Sequence, residues 1–182
     1  MTLRSIAIAF AVALIALIVR AAQPGSPYVG QEARDIKALS PEDTAALLAG
    51  KGMGLAKAAE LNGYPGPAHV LELAAPLALT PEQRSQTEAL FASMESRAQS
   101  LGRALVEEER KLDRLFATRA VTPELLALSL SEIGALQAQV RAAHLQAHLA
   151  QITILTPEQV AHYVKLRGCA EAGTSGHTGH RH

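Results

Sequence analysis

The chain has 182 residues, 48% of them apolar but only 3% aromatic, with no Trp. Its apolar content is mainly Ala and Leu, which argues against a strand-rich fold and for an all-helical one. Lys plus Arg and Asp plus Glu stand at 17 each, so no broad attraction to nucleic acid is built in and no nucleic-acid partner is expected.

Arg4 precedes an unbroken apolar run over residues 6–19 (IAIAFAVALIALIV), followed by Arg20 and Ala21. This is the pattern of a secretory signal over residues 1–21. The alternative is an uncleaved anchor in the inner membrane with the rest of the chain facing the periplasm, although the run falls short of the roughly 20 apolar residues that span a bilayer comfortably. Membrane contact is expected only in that second case. Losing Arg4 and Arg20 takes the basic residues from 17 to 15 against 17 acidic ones, a slightly acidic mature chain.

Residues 22–39 open on Gln23, Pro24, Gly25, Ser26 and Pro27 and read as a flexible leader. Helical signals begin at Ser40, a capping residue followed by Pro41, Glu42 and Asp43. The run to about Leu61 is interrupted by Gly50, Gly52 and Gly54, which predicts a bend or two shorter helices. Residues 62–67 (NGYPGP) are a firm break, and a short helix is predicted over about 68–77. A long helix then runs from Pro81 to about Thr118, with Leu101, Leu105, Leu112 and Leu115 as its apolar seam. Its opposite face is charged and solvated, with Glu107 and Lys111 as an i, i+4 pair and Arg103, Glu108, Arg110 and Arg114 around them. A second long helix is predicted from Pro123 to about Thr153, its seam tapering through Ile133, Leu136, Val140, Ala143, Ala147 and Ala150. The short connection between the two predicts an antiparallel hairpin. A last helix over 157–166 ends at Gly168, and residues 168–182 are too polar and Gly-rich to pack.

Residues 79–83 and 155–159 are the same five letters, LTPEQ, seventy-six positions apart. Each is a complete helix start, with Thr as N-cap, Pro at the first helical position, Glu in the first turn and Gln closing a capping box. These paired motifs, with helix between them and a short helix after the second, resemble the Spy/CpxP family of periplasmic helical proteins and its repeated LTxxQ signature. The resemblance covers residues 40–167. It implies a four-helix fold in which a long antiparallel hairpin carries short flanking helices and dimerises into a shallow cradle. It further implies a periplasmic location, a homodimer, and one of three roles: ATP-independent chaperone for unfolded envelope proteins, modulator of a sensor kinase in envelope stress, or transition-metal binder in heavy-metal resistance. Chaperone members present a basic concave face, from which this slightly acidic chain departs, so metal handling is the leading expectation. For the chaperone role Pro65, Leu71, Leu73 and Leu77 are candidates to line an apolar groove.

Two sets of residues carry donor chemistry. His144 and His148 stand four apart on the second long helix, the spacing with which a helix offers two ligands from one face. They are expected to flank the hairpin core and remain partly accessible. A third donor is needed; His69, before the first LTPEQ, is the candidate, with Glu72, Met53 and His162 in reserve. Separately, Cys169, His177, His180 and His182 place soft and borderline donors within fourteen residues of a tail suited to Zn, Cu or Ni. Cys169 is the only cysteine, so it has no internal disulfide partner. No HExxH, nucleophile elbow or phosphate-cradling loop is present, and no catalytic residue or organic cofactor is expected.

Overall fold

A computed structural model of the protein describes residues 26–168. The signal expected over residues 1–21 and most of the tail, including Cys169, His177, His180 and His182, lie outside the described residues. The chain divides into two units between Lys37 and Ala38. Of the first, residues 26–37 form successive turns, closed by hydrogen bonds such as Val29 N to Ser26 O at 3.1 Å and Gln31 N to Tyr28 O at 3.0 Å.

The second unit is all helical, with no strand among the described residues. Its helices are α1 (Pro41–Leu48), α2 (Lys57–Glu60), α3 (Pro67–Glu72), α4 (Pro81–Ala117), α5 (Pro123–Ile154) and α6 (Pro157–Leu166). Helices α4 and α5 have 37 and 32 residues, so the hairpin is about 50 Å long. Each of α1, α4, α5 and α6 begins with a Ser or Thr side chain accepting from the backbone N–H three residues on and with Pro just inside the helix. The turn between α4 and α5 is a Schellman cap: Ala120 N bonds Leu115 O, Arg119 N bonds Phe116 O, and Arg119 takes a left-handed φ of 56°.

The hairpin seam is built as the spacing predicts over most of α5, where Ile133, Leu136, Val140, Ala143 and Ala147 are buried, while Ala150 at its end is only half-buried. On α4 it differs. Leu105 is buried, but Leu101, Leu112 and Leu115 are only half-buried, and the covered stripe is Thr87, Ala98, Gly102, Leu105, Val106 and Glu109. The stripe is displaced because α1 lies across α4 at Gly102, where an added Cβ would stand 2.1 Å from the Leu47 carbonyl oxygen. No side chain other than hydrogen fits there. The charged face also pairs differently, as Glu107 with Arg110 and Glu108 with Lys111, both at i, i+3 instead of the expected Glu107 with Lys111. Burial pushes the Glu109 carboxyl up from its usual range.

At the open end of the hairpin a separate core of Val70, Leu77, Leu155 and Tyr163, with Leu73, Leu79, Val160 and Val164 packed against it, joins α3 to α6. The two LTPEQ motifs meet there. The capping glutamines form a reciprocal amide pair, Gln83 Nε2 donating to Gln159 Oε1 at 2.8 Å and Gln159 Nε2 to Gln83 Oε1 at 3.0 Å. Each oxygen also accepts its own N-cap N–H, from Thr80 and Thr156. Each nitrogen has a second acceptor, the carbonyl of Ile154 for Gln83 and of Leu77 for Gln159. Both amides are therefore saturated.

Candidate functional site

The three glycines after α1 end that helix and shape a loop. Gly50, at φ 65°, is the left-handed residue of another Schellman cap, with Lys51 N on Ala46 O and Gly50 N on Leu47 O. Residues 52–55 then make a tight turn, Leu55 N on Gly52 O at 2.7 Å, whose central residues Met53 and Gly54 have φ of 47° and 75°. That is the primed pattern in which glycine and asparagine predominate.

This loop, α2 and the start of α3 cover one end of the hairpin and enclose a cavity of about 540 Å³. Its lining brings together His144 and His148 of α5, His69 and Glu72 of α3, Glu60 of α2, Met53 of the loop, and Met94 and Glu95 of α4. His69, His144 and His148, singled out in the sequence, thus share one cavity, and so do the reserve donors Glu72 and Met53. His162 is exposed on α6 and does not line it.

His144 and His148 are buried instead of flanking the core at partial exposure, with 5% and 7% of their surface accessible. The cover over them rests on glycine. The His148 ring lies against Gly66, where an added Cβ would sit 2.8 Å from its Cε1, and the His144 ring faces Gly52. His148 Nδ1 stands 2.8 Å from the Tyr64 carbonyl oxygen. A carbonyl can only accept, so Nδ1 is the donor in this contact. Burial first, and the neighbouring His148 second, hold the His144 pKa below the usual histidine range, so this ring is neutral at neutral pH.

Glu60 is the hub of the site. Its Oε1 accepts from the Tyr163 hydroxyl, meets His69 Nδ1 at 3.2 Å and pairs with Arg167 Nε at 3.2 Å, while Oε2 is 3.7 Å from His148 Nδ1. Tyr163 is 1% exposed, and burial together with the Glu60 contact pushes its phenol far above the ordinary range. It stays a hydrogen-bond donor. Two polar atoms on residues of this cavity wall, Glu60 Oε2 and His144 Nε2, are buried without a hydrogen-bond partner. Among the described residues no three His, Cys, Asp or Glu side chains are gathered closely enough to hold a metal ion as they stand.

Glu60, Met94, Tyr163 and Arg167 carry no sequence signal as site residues. Glu60 lies on a four-residue helix beside a Gly/Pro break, Met94 reads as a seam residue of α4, and Tyr163 lies on, and Arg167 just after, a helix that the chain alone does not place near α2.

A hairpin of two long helices whose flanking motifs cap α4 and α6 and clasp each other defines a class of small helical proteins built on paired LTxxQ starts. The chain belongs to the LTXXQ motif family, the Spy/CpxP-like group, whose family model matches residues 68–167. Members of that family are generally non-enzymatic and typically periplasmic, and the family is one of stress and metal-resistance proteins. Comparison with curated proteins and with solved structures gives no match. Among the described residues no helix is long and apolar enough to cross a membrane.

Proposed function

We propose that the chain is an exported, non-enzymatic stress protein that binds a transition metal, Zn, Cu or Ni, in the cavity over the end of the hairpin. The observation that carries this reading is the pair of buried atoms without a hydrogen-bond partner, His144 Nε2 and Glu60 Oε2, on residues of one cavity wall. A buried polar atom without a partner costs about 1–3 kcal/mol, more when charged, and a cation between them would relieve both. The donor chemistry fits as well. His148 is fixed by a backbone carbonyl and His69 by a carboxyl, each through Nδ1, the arrangement that orients Nε2 toward a metal. His144 is kept neutral. His144, His148 and His69 would hold the ion with Glu60, and gathering them about one point needs rotation of side chains, chiefly of the half-exposed His69.

The test is chelator competition with Zn(II), Cu(II) and Ni(II) on three full-length proteins: wild type, His144→Ala/His148→Ala, and a tail variant in which Cys169, His177, His180 and His182 are replaced. Binding is expected to survive in the tail variant and to weaken about 100-fold in the double histidine variant. Binding that disappears only with the tail would reassign the metal to residues 169–182. Binding in none of the three would reject the reading.

A second reading is favoured by α5 itself. Leu128, Ala135, Ala142 and Leu149 recur every seven residues on the side away from the buried seam; Leu128 and Leu149 are exposed, as are Phe116 and Leu125 at the hairpin tip. This surface replaces the groove expected from Pro65, Leu71, Leu73 and Leu77, of which Pro65 and Leu77 are buried and the other two half-buried. It suits a second copy of the chain or an apolar segment of an unfolded envelope protein. Leu128→Glu/Leu149→Glu is expected to convert a dimer to a monomer in analytical ultracentrifugation with helicity unchanged. A wild type that is monomeric and fails to suppress aggregation of an unfolded protein would dispose of this second role.

A further inference from the structure

Apart from Met1, the chain has two methionines, Met53 and Met94, and both line the histidine cavity. They reach it from unrelated elements, the 52–55 turn and α4. The position of Met53 is not explained by packing alone. Met53 is 43% exposed, so it adds little to a core. It also occupies a left-handed conformation, which costs a residue with a Cβ about 1–2 kcal/mol and which Gly or Asn would take more readily. Strain of this kind persists where the side chain it places has a use. Met94 is half-buried beside Glu95, facing the same cavity.

One of the two Glu60 carboxyl oxygens is already engaged, which leaves only Oε2 open to an ion. Glu60 Oε1 holds Tyr163, His69 and Arg167 together, and withdrawing it would unfasten α6 from α2. Beside the carboxylates of Glu60, Glu72 and Glu95, the cavity wall carries four uncharged donors: the two thioethers and the imidazoles of His144 and His148. Uncharged, soft sulfur with imidazole suits a soft monovalent ion, and thioether ligation selects Cu(I) over Zn(II) or Ni(II). Resting on the metal-binding reading above, we infer that the cavity is a Cu(I) site in which the sulfur atoms of Met53 and Met94 join the imidazoles of His144 and His148.

The test is anaerobic titration of Cu(I) against bicinchoninate, and of Zn(II) against a chromogenic chelator, on full-length protein carrying Cys169→Ser to remove the thiol. Met53→Leu/Met94→Leu conserves volume and apolarity and is expected to weaken Cu(I) at least ~10-fold while Zn(II) changes less than about twofold. X-ray absorption of the Cu(I)-loaded Cys169→Ser protein supplies a readout without the methionine changes, and sulfur scattering beside nitrogen is expected. Nitrogen or oxygen scattering alone, or Cu(I) affinity unaffected by the leucines, would overturn the Cu(I) assignment while leaving a histidine metal site intact. Failure of the histidine site itself shows differently, as no dependence of any metal on His144 and His148.

Discussion

Gly102→Ala is expected to lower the melting temperature by about 8 °C, although alanine is the better helix former. Position 102 is in the interior of α4, where glycine costs about 1 kcal/mol relative to alanine. Against that gain stands the Leu47 carbonyl. The new methyl carbon would lie 2.1 Å from its oxygen and 2.8 Å from its carbon. These are backbone atoms at the last turn of α1, so no side-chain rotation relieves the overlap and the helices must separate. Overpacking of this kind costs about 3 kcal/mol, leaving a net loss of about 2 kcal/mol, or roughly 4 °C per kcal/mol for a chain of this size. Gly134 is the internal control. It lies in α5, exposed, with nothing within 4 Å of an added Cβ, so Gly134→Ala is expected to gain about 1 kcal/mol and raise the melting temperature. Thermal unfolding followed by circular dichroism decides the matter, and two shifts of the same sign would mean that α1 does not press on Gly102 in solution.

The glutamine pair gives the second large effect. Gln83→Ala or Gln159→Ala is expected to cost about 2 kcal/mol, and the double variant little more than either, because one amide without the other leaves its partner's donors and acceptors unmatched. A coupling near zero in the double-mutant cycle would show that each glutamine acts only as the cap of its own helix. Gln159→Glu separates hydrogen bonding from volume. A carboxylate cannot donate, so it faces Gln83 Oε1 and the Leu77 carbonyl with acceptors on both sides. Its charged form is disfavoured in the fold, which raises the folded pKa above the unfolded value of about 4.3. The destabilisation is therefore full at neutral pH and is relieved as the pH falls through the folded pKa, where the protonated acid donates again. Urea unfolding of this variant at pH 7 and pH 4 measures that recovery against wild type.

What could be read in the chain and what could not divide along a physical line. Helix starts were legible because a cap is local: Thr80, Thr122 and Thr156 satisfy backbone groups three residues away, and the ends of α4, α5 and α6 fall within about a residue of their expected places. The α5 seam was legible because large residues at spacings of three and four have one place to go. The α4 seam was not, since Gly102 offers no apolar signal and its meaning lies in Leu47, on another helix. Likewise the sequence supplies two identical motifs but not their meeting face to face. At the site, a four-residue spacing picked out His144 and His148 and their relation to His69, whereas their burial depends on Gly52 and Gly66. Glu60 was beyond reach because its partners lie 9, 88, 103 and 107 positions along the chain.

The clasp at the open end of the hairpin is made of two uncharged primary amides. A thiol bridge in its place would answer to the redox poise of its surroundings and an ion pair to proton and salt concentration. An amide pair neither titrates nor takes up electrons, and with no net charge it is nearly indifferent to ionic strength. The framework that joins α4 to α6 is therefore insulated from the chemical variables to which the imidazoles and thioethers beside it respond. At this junction the fastening groups are amides, so acid, salt or an oxidant can alter the cavity beside it while the clasp between α4 and α6 stays shut.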